Sequence, residues 1–292
     1  MDYAIHLFTL IAIFAMVGSS LNLVWGYTGL LSLASAAFFG VGAYSVAIGT
    51  RFGAEYFVVS ALLGVAISCV LSLAVGFPSL RIRDDYFVIA TFALQVVFAG
   101  VLNNWTWLTS GPQGIPGIPR PRLIGFALAS DRSFAILVAT CLVATLWLER
   151  RLVTAPLGRV LRGIRQDEVL VTACGRNVAA YKVLAVLLGA GLAAAAGALF
   201  AAYIGFVDPT SFTVMDSVFV VSIVIAGGSG ALGGPPLGAV LLVGVPELLR
   251  WLGLPVGVAA NLRQMLFGLA LVAVVAIRPQ GLVGRFAMRS GR

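Results

Sequence analysis

The sequence predicts an all-α polytopic bundle of transmembrane helices, and three observations predict it. Of 292 residues, 60% are apolar before glycine is counted, against roughly 45–50% with glycine included in soluble domains. Charged residues make up 10%, against about 25% in soluble domains. Uncharged apolar stretches long enough to cross a hydrocarbon layer of about 30 Å at 1.5 Å per residue recur along the whole chain. So little polar side chain cannot coat a water-facing globule of this length. Soluble enzyme, disordered protein and secreted disulfide scaffold are excluded, and residues 1–292 read as a single transmembrane domain.

Taken in chain order, residues 3–50 contain no Asp, Glu, Lys or Arg and hold two spans separated near Trp25–Gly29. Further spans are expected at 56–77, 86–104, 133–148 and 183–205. The apolar region 214–249 is interrupted by Gly227–Pro236 and reads as two shorter helices, and 259–277 is the last span. The count is about nine, with eight to ten compatible with the glycine-rich breaks. The first span lacks the basic flank of a cleaved signal peptide, so it is expected to stay.

The net charge of +8 comes from 18 Arg and the lone Lys182, set between the apolar stretches and densest over 150–182. Excess Arg and Lys mark cytoplasmic loops, so this pattern points to membrane orientation rather than to nucleic acid. The segment 150–182 and the C-terminal arginines (Arg278, Arg285, Arg289, Arg292) are expected to be cytoplasmic. That order puts the N-terminus outside and Arg81/Arg83 inside. Residues 105–132 then lie outside despite three arginines; their Gly-Pro, Ile-Pro and Arg-Pro pairs predict a structured turn. Cys69, Cys141 and Cys174 are widely spaced and form neither a disulfide framework nor a metal motif.

Small residues recur at helical spacing. Gly189, Ala193, Gly197 and Ala201 form one stripe, and Ser32, Ala36 and Gly40 another. Such stripes let helix backbones approach closely in lipid; lining of a substrate path is the alternative. Gly228, Gly230 and Gly233 spell G-x-G-x-x-G, but an apolar span precedes them and Pro235-Pro236 follow, which rules out a dinucleotide site. Gly227, Gly228, Gly230, Gly233 and Pro235 instead read as a helix break, whose backbone must face protein or a water-filled cavity, or as a simple loop. The single His6 excludes a multi-histidine metal site, and the absence of Gly-Lys-Ser/Thr excludes a P-loop. No catalytic residue is assigned, and no cofactor of the chain's own.

Ionisable residues inside spans mark ion or proton pathways, and the spans contain almost none. Glu247 and Arg250 are expected to pair near an interface, and Asp208 and Asp216 to flank a loop. With no buried carboxylate to couple an ion gradient, energy for uphill transport must come from another subunit. Asn22, Ser32, Gln95, Asn103 and Ser222 are candidates to line a route, with interhelical hydrogen bonding as the alternative. In 154–178, Leu157, Val160, Leu161 and Ile164 follow the template of an amphipathic helix, and Arg159, Arg162 and Arg165 cover much of the other surface. Pro156 suits a first turn and Gly175 a left-handed terminus. Such an element docks on a soluble partner or lies on anionic membrane lipid.

A set of motifs then carries a resemblance. They are Leu21-Asn22-Leu23-Val24-Trp25-Gly26-Tyr27-Thr28-Gly29-Leu30, Ala36-Ala37-Phe38-Phe39-Gly40-Val41-Gly42-Ala43-Tyr44, Leu80-Arg81-Ile82-Arg83 and Thr109-Ser110-Gly111-Pro112-Gln113-Gly114. Gly158-Arg159-Val160-Leu161-Arg162-Gly163-Ile164-Arg165-Gln166-Asp167-Glu168, Gly197-Ala198-Leu199-Phe200-Ala201, Gly227-Gly228-Ser229-Gly230, Gly233-Gly234-Pro235 and Arg278-Pro279-Gln280-Gly281-Leu282 follow. In this order, over about nine-tenths of the chain, they resemble the LivM-type permease subunit of branched-chain amino-acid ABC importers. Asp84, Ser35, Cys174 and Arg176 depart from the family's usual residues.

The resemblance implies an ABC importer permease fold in a bacterial inner membrane. It also implies a second homologous permease subunit, two cytoplasmic ATPase subunits that bind the ATP, and a periplasmic solute-binding protein. The helix from Gly158 to Gly175, with Arg159, Arg162, Ile164, Arg165, Asp167 and Glu168, would contact an ATPase, and 105–132 would receive the binding protein. Branched-chain or other hydrophobic amino acids are the expected cargo. Urea, short amides or aromatic acids are the alternatives within the family, and a secondary transporter or channel is the alternative outside it.

Overall fold

The computed structural model describes residues 2–51, 57–79, 84–123, 126–127, 130–244, 268 and 282–283. Six helical stretches among them are long and apolar enough to cross a membrane: Tyr3–Gly26, Phe57–Ala74, Tyr86–Asn104, Asp131–Thr154, Val178–Ile204 and Pro209–Gly227. Two shorter apolar helices, Ser35–Arg51 and Gly234–Gly244, accompany them. These eight elements correspond to the first eight expected spans. The span expected at 259–277 lies outside the described residues, as do Arg81, Arg83, Glu247, Arg250 and Arg278–Gly281.

The first helix, α1 (Asp2–Leu21), widens into a π-helical turn over Asn22–Gly26. Gly29, at φ +84°, then reverses the chain. Residues 30–34 climb back beside the middle of α9 (Val178–Ile204) without forming helix, and α2 (Ser35–Arg51) completes the crossing. Irregular backbone at membrane depth survives only where protein satisfies it. Hydroxyl groups do so here: Leu30 N donates to Thr28 Oγ1 at 3.2 Å, Leu33 N to Thr91 Oγ1 at 3.2 Å, Ala34 N to Ser32 Oγ at 3.3 Å and Ala36 N to Ser217 Oγ at 3.0 Å. The second crossing therefore needs only 17 helical residues.

The small-residue stripe on α9 packs helices as expected, whereas Ser32 lies in the extended segment before α2 and shares no helix with Ala36 and Gly40. A Cβ on Gly197 would lie 1.8 Å from the Phe39 carbonyl oxygen, and one on Gly42 would lie 1.9 Å from that of Ala194, so α2 and α9 cross with backbones touching. A Cβ on Gly40 would meet Phe98 at 2.6 Å. Phe39 packs with Phe200 and Phe212 at ring-centroid distances of 5.2 and 5.6 Å, filling the core between α2 and α9. The outward faces of α3 (Phe57–Ser79) and α4 (Asp84–Asn104) keep Leu62, Leu63, Val70, Ile89 and Val97 exposed. A bilayer requires that apolar surface.

The two ends of the bundle differ. At one end, His6 Nδ1 lies 2.6 Å from the Tyr203 hydroxyl, Tyr203 stacks on Phe134, and Arg120 pairs with Asp131. Residues 105–132 there form a one-turn helix, α5 (Thr106–Thr109), a 3₁₀ turn and short strands; Ile115–Pro116 pairs antiparallel with Phe206–Val207. The other end carries Arg150 to Lys182 and is called the basic end below.

Candidate coupling site at the basic end

The helix α6 (Asp131–Thr154) runs six residues past the expected end of its span at Leu148. Ala155 alone separates it from α7 (Pro156–Gln166). Gly158 makes that corner possible, because a Cβ there would lie 2.2 Å from the Val153 carbonyl oxygen. Leu161 and Ile164 are buried against Leu23, Tyr27, Val153 and Val178, with Leu157 and Val160 partly buried beside them. The single helix expected over 158–175 is instead two. Asp167 adopts an extended backbone, and its carboxylate accepts from Val169 N and Leu170 N, capping a second helix, α8 (Glu168–Ala173). A side-chain oxygen that bonds the first orphan N–H groups starts a new helix more readily than it continues an old one. Gly175 ends the segment at φ +76°.

The arginines do not all face away from the bundle as expected. Arg159 is exposed, but Arg162 and Arg165 turn inward. Arg162 donates to Gly158 O at 3.1 Å and Val153 O at 3.4 Å. Arg165 donates to Gly26 O and, at 3.5 Å, to Ser229 Oγ. Burial draws the Arg165 pKa below the ordinary guanidinium value, a measure of the desolvation those acceptors offset. A cleft of about 290 Å³ opens beside Arg162, lined also by Tyr27, Val153, Thr154, Gly230–Gly233 and Val283.

The glycine break lies at this same end. It turns the chain from α10 (Val214–Gly227) into α11 (Gly234–Ala239), and the two helices pack back on each other: a Cβ on Gly227 would lie 1.9 Å from Gly234 O. Gly228 and Gly230 have φ of +111° and +77°, where L side chains are strained. Part of its backbone faces protein, through Asn22, and Gly230–Gly233 also border the cleft.

The five candidate path residues are not brought together. Asn22 Oδ1 accepts from Gly230 N at 2.8 Å, and its Nδ2 donates to Ala231 O at 3.1 Å and Glu149 Oε1 at 2.8 Å. Ser32 serves the extended segment. Gln95 donates to Phe212 O and accepts from Ser217 Oγ. Asn103 is exposed and bonds Ala99 O, and Ser222 bonds Val218 O. Each side chain serves backbone or a neighbouring helix, and no common cavity unites them among the described residues. The crevice beside Ser32 is about 10 Å³, room for one water at most.

Two buried ionisable side chains correct the expectation that the spans hold almost none and no buried carboxylate. Glu149 is 0% exposed and Lys182 is 2% exposed. Both lie just past the ends of the spans expected from hydropathy, where helices that run on carry them into the protein interior. Lys182 Nζ donates to Glu168 Oε2 at 2.7 Å, tying α8 to the start of α9. Glu168→Ala removes that acceptor from a buried ammonium, and a cost of about 1–3 kcal/mol is expected from the charge-assisted bond. Lys182→Met with Glu168→Gln, which leaves no buried cation, should restore most of it; thermal unfolding of the purified protein in detergent measures both.

Val169 and Leu170 are 78% and 62% exposed on α8. They are an exposed apolar pair the periodicity argument passes over, since they follow the polar Asp167-Glu168 and fall outside the α7 pattern. An apolar pair at the tip of a charged surface segment is the signal that marks them.

A helical bundle with a backbone-tight core and a two-helix element projecting from its basic end is the build of a membrane transport permease. The chain belongs to the family described as branched-chain amino acid transport system / permease component, which matches residues 3–275. It is 34% identical, over 96% of its own length and 70% of the relative's, to the high-affinity branched-chain amino acid transport system permease protein LivM of Salmonella typhimurium. Identity to the Escherichia coli protein of that name is 34% over 94% of the chain and 68% of the relative. A probable branched-chain amino acid transport permease protein LivM of Methanocaldococcus jannaschii is 29% identical over 76% of the chain and 68% of its own. No solved structure matches the chain. The protein is a multi-pass inner-membrane permease subunit of an importer.

Proposed function

We propose that this permease imports branched-chain or other hydrophobic amino acids, driven by ATP hydrolysed in separate subunits. The observation that carries the energetic half is the α7–α8 element, whose exposed Val169 and Leu170 stand on a base pinned to the bundle by Arg165 and Lys182. A projecting apolar tip on a fixed base transmits force from a soluble partner; a lipid-binding helix would instead lay its whole apolar face on the membrane. Here that face, Leu161 and Ile164, is already buried. The cargo is taken from the branched-chain amino acid permeases that match over 94–96% of the chain.

The working unit comprises this chain, a second homologous permease subunit, two cytoplasmic ATPases and a periplasmic solute-binding protein. The element α7–α8, with Gly158, Arg159, Arg162, Ile164, Arg165, Asp167, Glu168 and Gly175, couples to one ATPase. The turn-rich 105–132, braced on Phe206–Val207, receives the binding protein. Fixed charge is sparse along the spans, which suits a zwitterion with a hydrocarbon side chain.

Reconstitution in liposomes tests this reading. Uptake of labelled leucine, isoleucine or valine is expected only with both ATPases, binding protein and ATP present. Uptake by the permease alone would make it a secondary transporter or channel. Uptake of urea, short amides or aromatic acids in place of aliphatic amino acids would move the cargo within the family.

A further inference from the structure

The buried Glu149 has no part in the reading above, yet its surroundings join the segments that meet at the basic end. Arg165 of α7 holds two segments at once, the π turn through Gly26 O and the α10–α11 turn through Ser229 Oγ. Asn22, four residues before Gly26, holds the same two segments from inside, through Gly230 N and Ala231 O, and adds α6 through Glu149 Oε1. The α6 helix runs through Ala155 into α7, so these bonds close a ring. The ring is tight: a Cβ on Gly26 would lie 2.2 Å from Asn22 Oδ1 and 2.7 Å from Gly230 N.

We propose that Asn22 and Glu149 are positioning residues that carry movement of the ATPase-coupling element into the α10–α11 turn. Stability alone argues against this polar cluster. Glu149 is fully buried with Asn22 and Ser19 beside it, and a buried carboxyl group carries a desolvation cost that an apolar side chain of similar size avoids. π-helical turns are frequent at functional sites, and the one at Asn22–Gly26 is where the ring closes. Bonds that run from α7 through the π turn to the α10–α11 turn let a displacement of one segment load the others.

The proposal rests on the ATP-driven reading, so the test begins with the wild-type complex of permeases, ATPases and binding protein in liposomes. Its failure to take up any cargo with ATP would overturn that reading, not this one. Given uptake, Glu149→Leu and Asn22→Ala are expected to keep ATPase association and basal hydrolysis while stimulation by loaded binding protein falls about tenfold. Glu149→Gln keeps an acceptor for Asn22 and should retain uptake within about threefold of wild type. Glu149→Leu with an unchanged ratio of uptake to hydrolysis overturns the proposal, as does Glu149→Gln as inactive as Glu149→Leu. Should Glu149→Leu fail to assemble, Arg165→Ala, Asn22→Ala and their combination decide the matter. One connected ring predicts that the double variant loses no more coupling than the worse single; additive losses refute it.

Discussion

Gly197→Leu is expected to leave almost no folded permease. The substituted Cβ would fall 1.8 Å from Phe39 O and 3.1 Å from Ala43 N, both backbone atoms of α2. No rotamer relieves a clash that begins at Cβ, so the helices must separate. Overpacking in a core costs about 1–3 kcal/mol where side chains can give way, and here only backbone is available to give. Separation also exposes the extended 30–34 segment and the start of α2, whose donors Leu33 N and Ala36 N depend on Thr91 of α4 and Ser217 of α10 staying in place. In lipid no hydrophobic drive brings the helices back, because the tails are as apolar as the side chains. Gly100→Leu is the matched control: nothing lies within 4 Å of its added Cβ. It should leave the yield unchanged or raise it, since leucine is favoured over glycine in a helix by about 1 kcal/mol. Monodisperse yield in detergent, read by size-exclusion chromatography, separates the two; equal yields would show that the α2–α9 crossing is not as tight as described.

Val169→Asp combined with Leu170→Asp should abolish uptake while leaving the permease folded. Both side chains are largely exposed in the isolated chain, and the α8 cap is made by the Asp167 side chain, so neither residue is needed for folding. If an ATPase covers them, each contributes about 1.5–3 kcal/mol of apolar burial. The substitution also places two carboxylates in that contact, so affinity for the ATPase is expected to fall at least about 100-fold. Arg159→Ala, which removes one exposed charge, should cost less than about 1 kcal/mol. Co-purification of the ATPases measures association, and circular dichroism of the permease confirms folding. Full ATPase capture by the double Asp variant would place the coupling contact elsewhere.

Local composition carried much of the fold. The spans α3, α4, α6 and α9 were legible because hydropathy and length act residue by residue. So were the Pro156 start of α7, the left-handed Gly175 and the tight-packing stripe of α9, each set by local backbone sterics. The site was less legible. Leu161 and Ile164 were expected on the apolar face of the helix, but the same periodicity sent Arg162 and Arg165 to the opposite surface. A helix wheel has no way to know that Gly26 and Ser229, 139 and 64 residues away from Arg165, present oxygens to that surface. The break at Asp167 was hidden because Asp-Glu reads as a charged pair until its carboxylate is seen on Val169 N and Leu170 N.

What the sequence determined by itself was the solvent: 10% charged residues and recurring apolar stretches admit only a bilayer, and the arginine distribution marks one end. The tertiary structure alone decided which polar groups meet. Glu149 and Lys182 sit near hydropathy boundaries where one residue of helix separates water from interior, and only packed neighbours settle on which side each lies. Asn22 could have lined a path or served a helix. It became the knot between three segments because Gly26 and Gly230, having no side chains, let their backbones come within its reach.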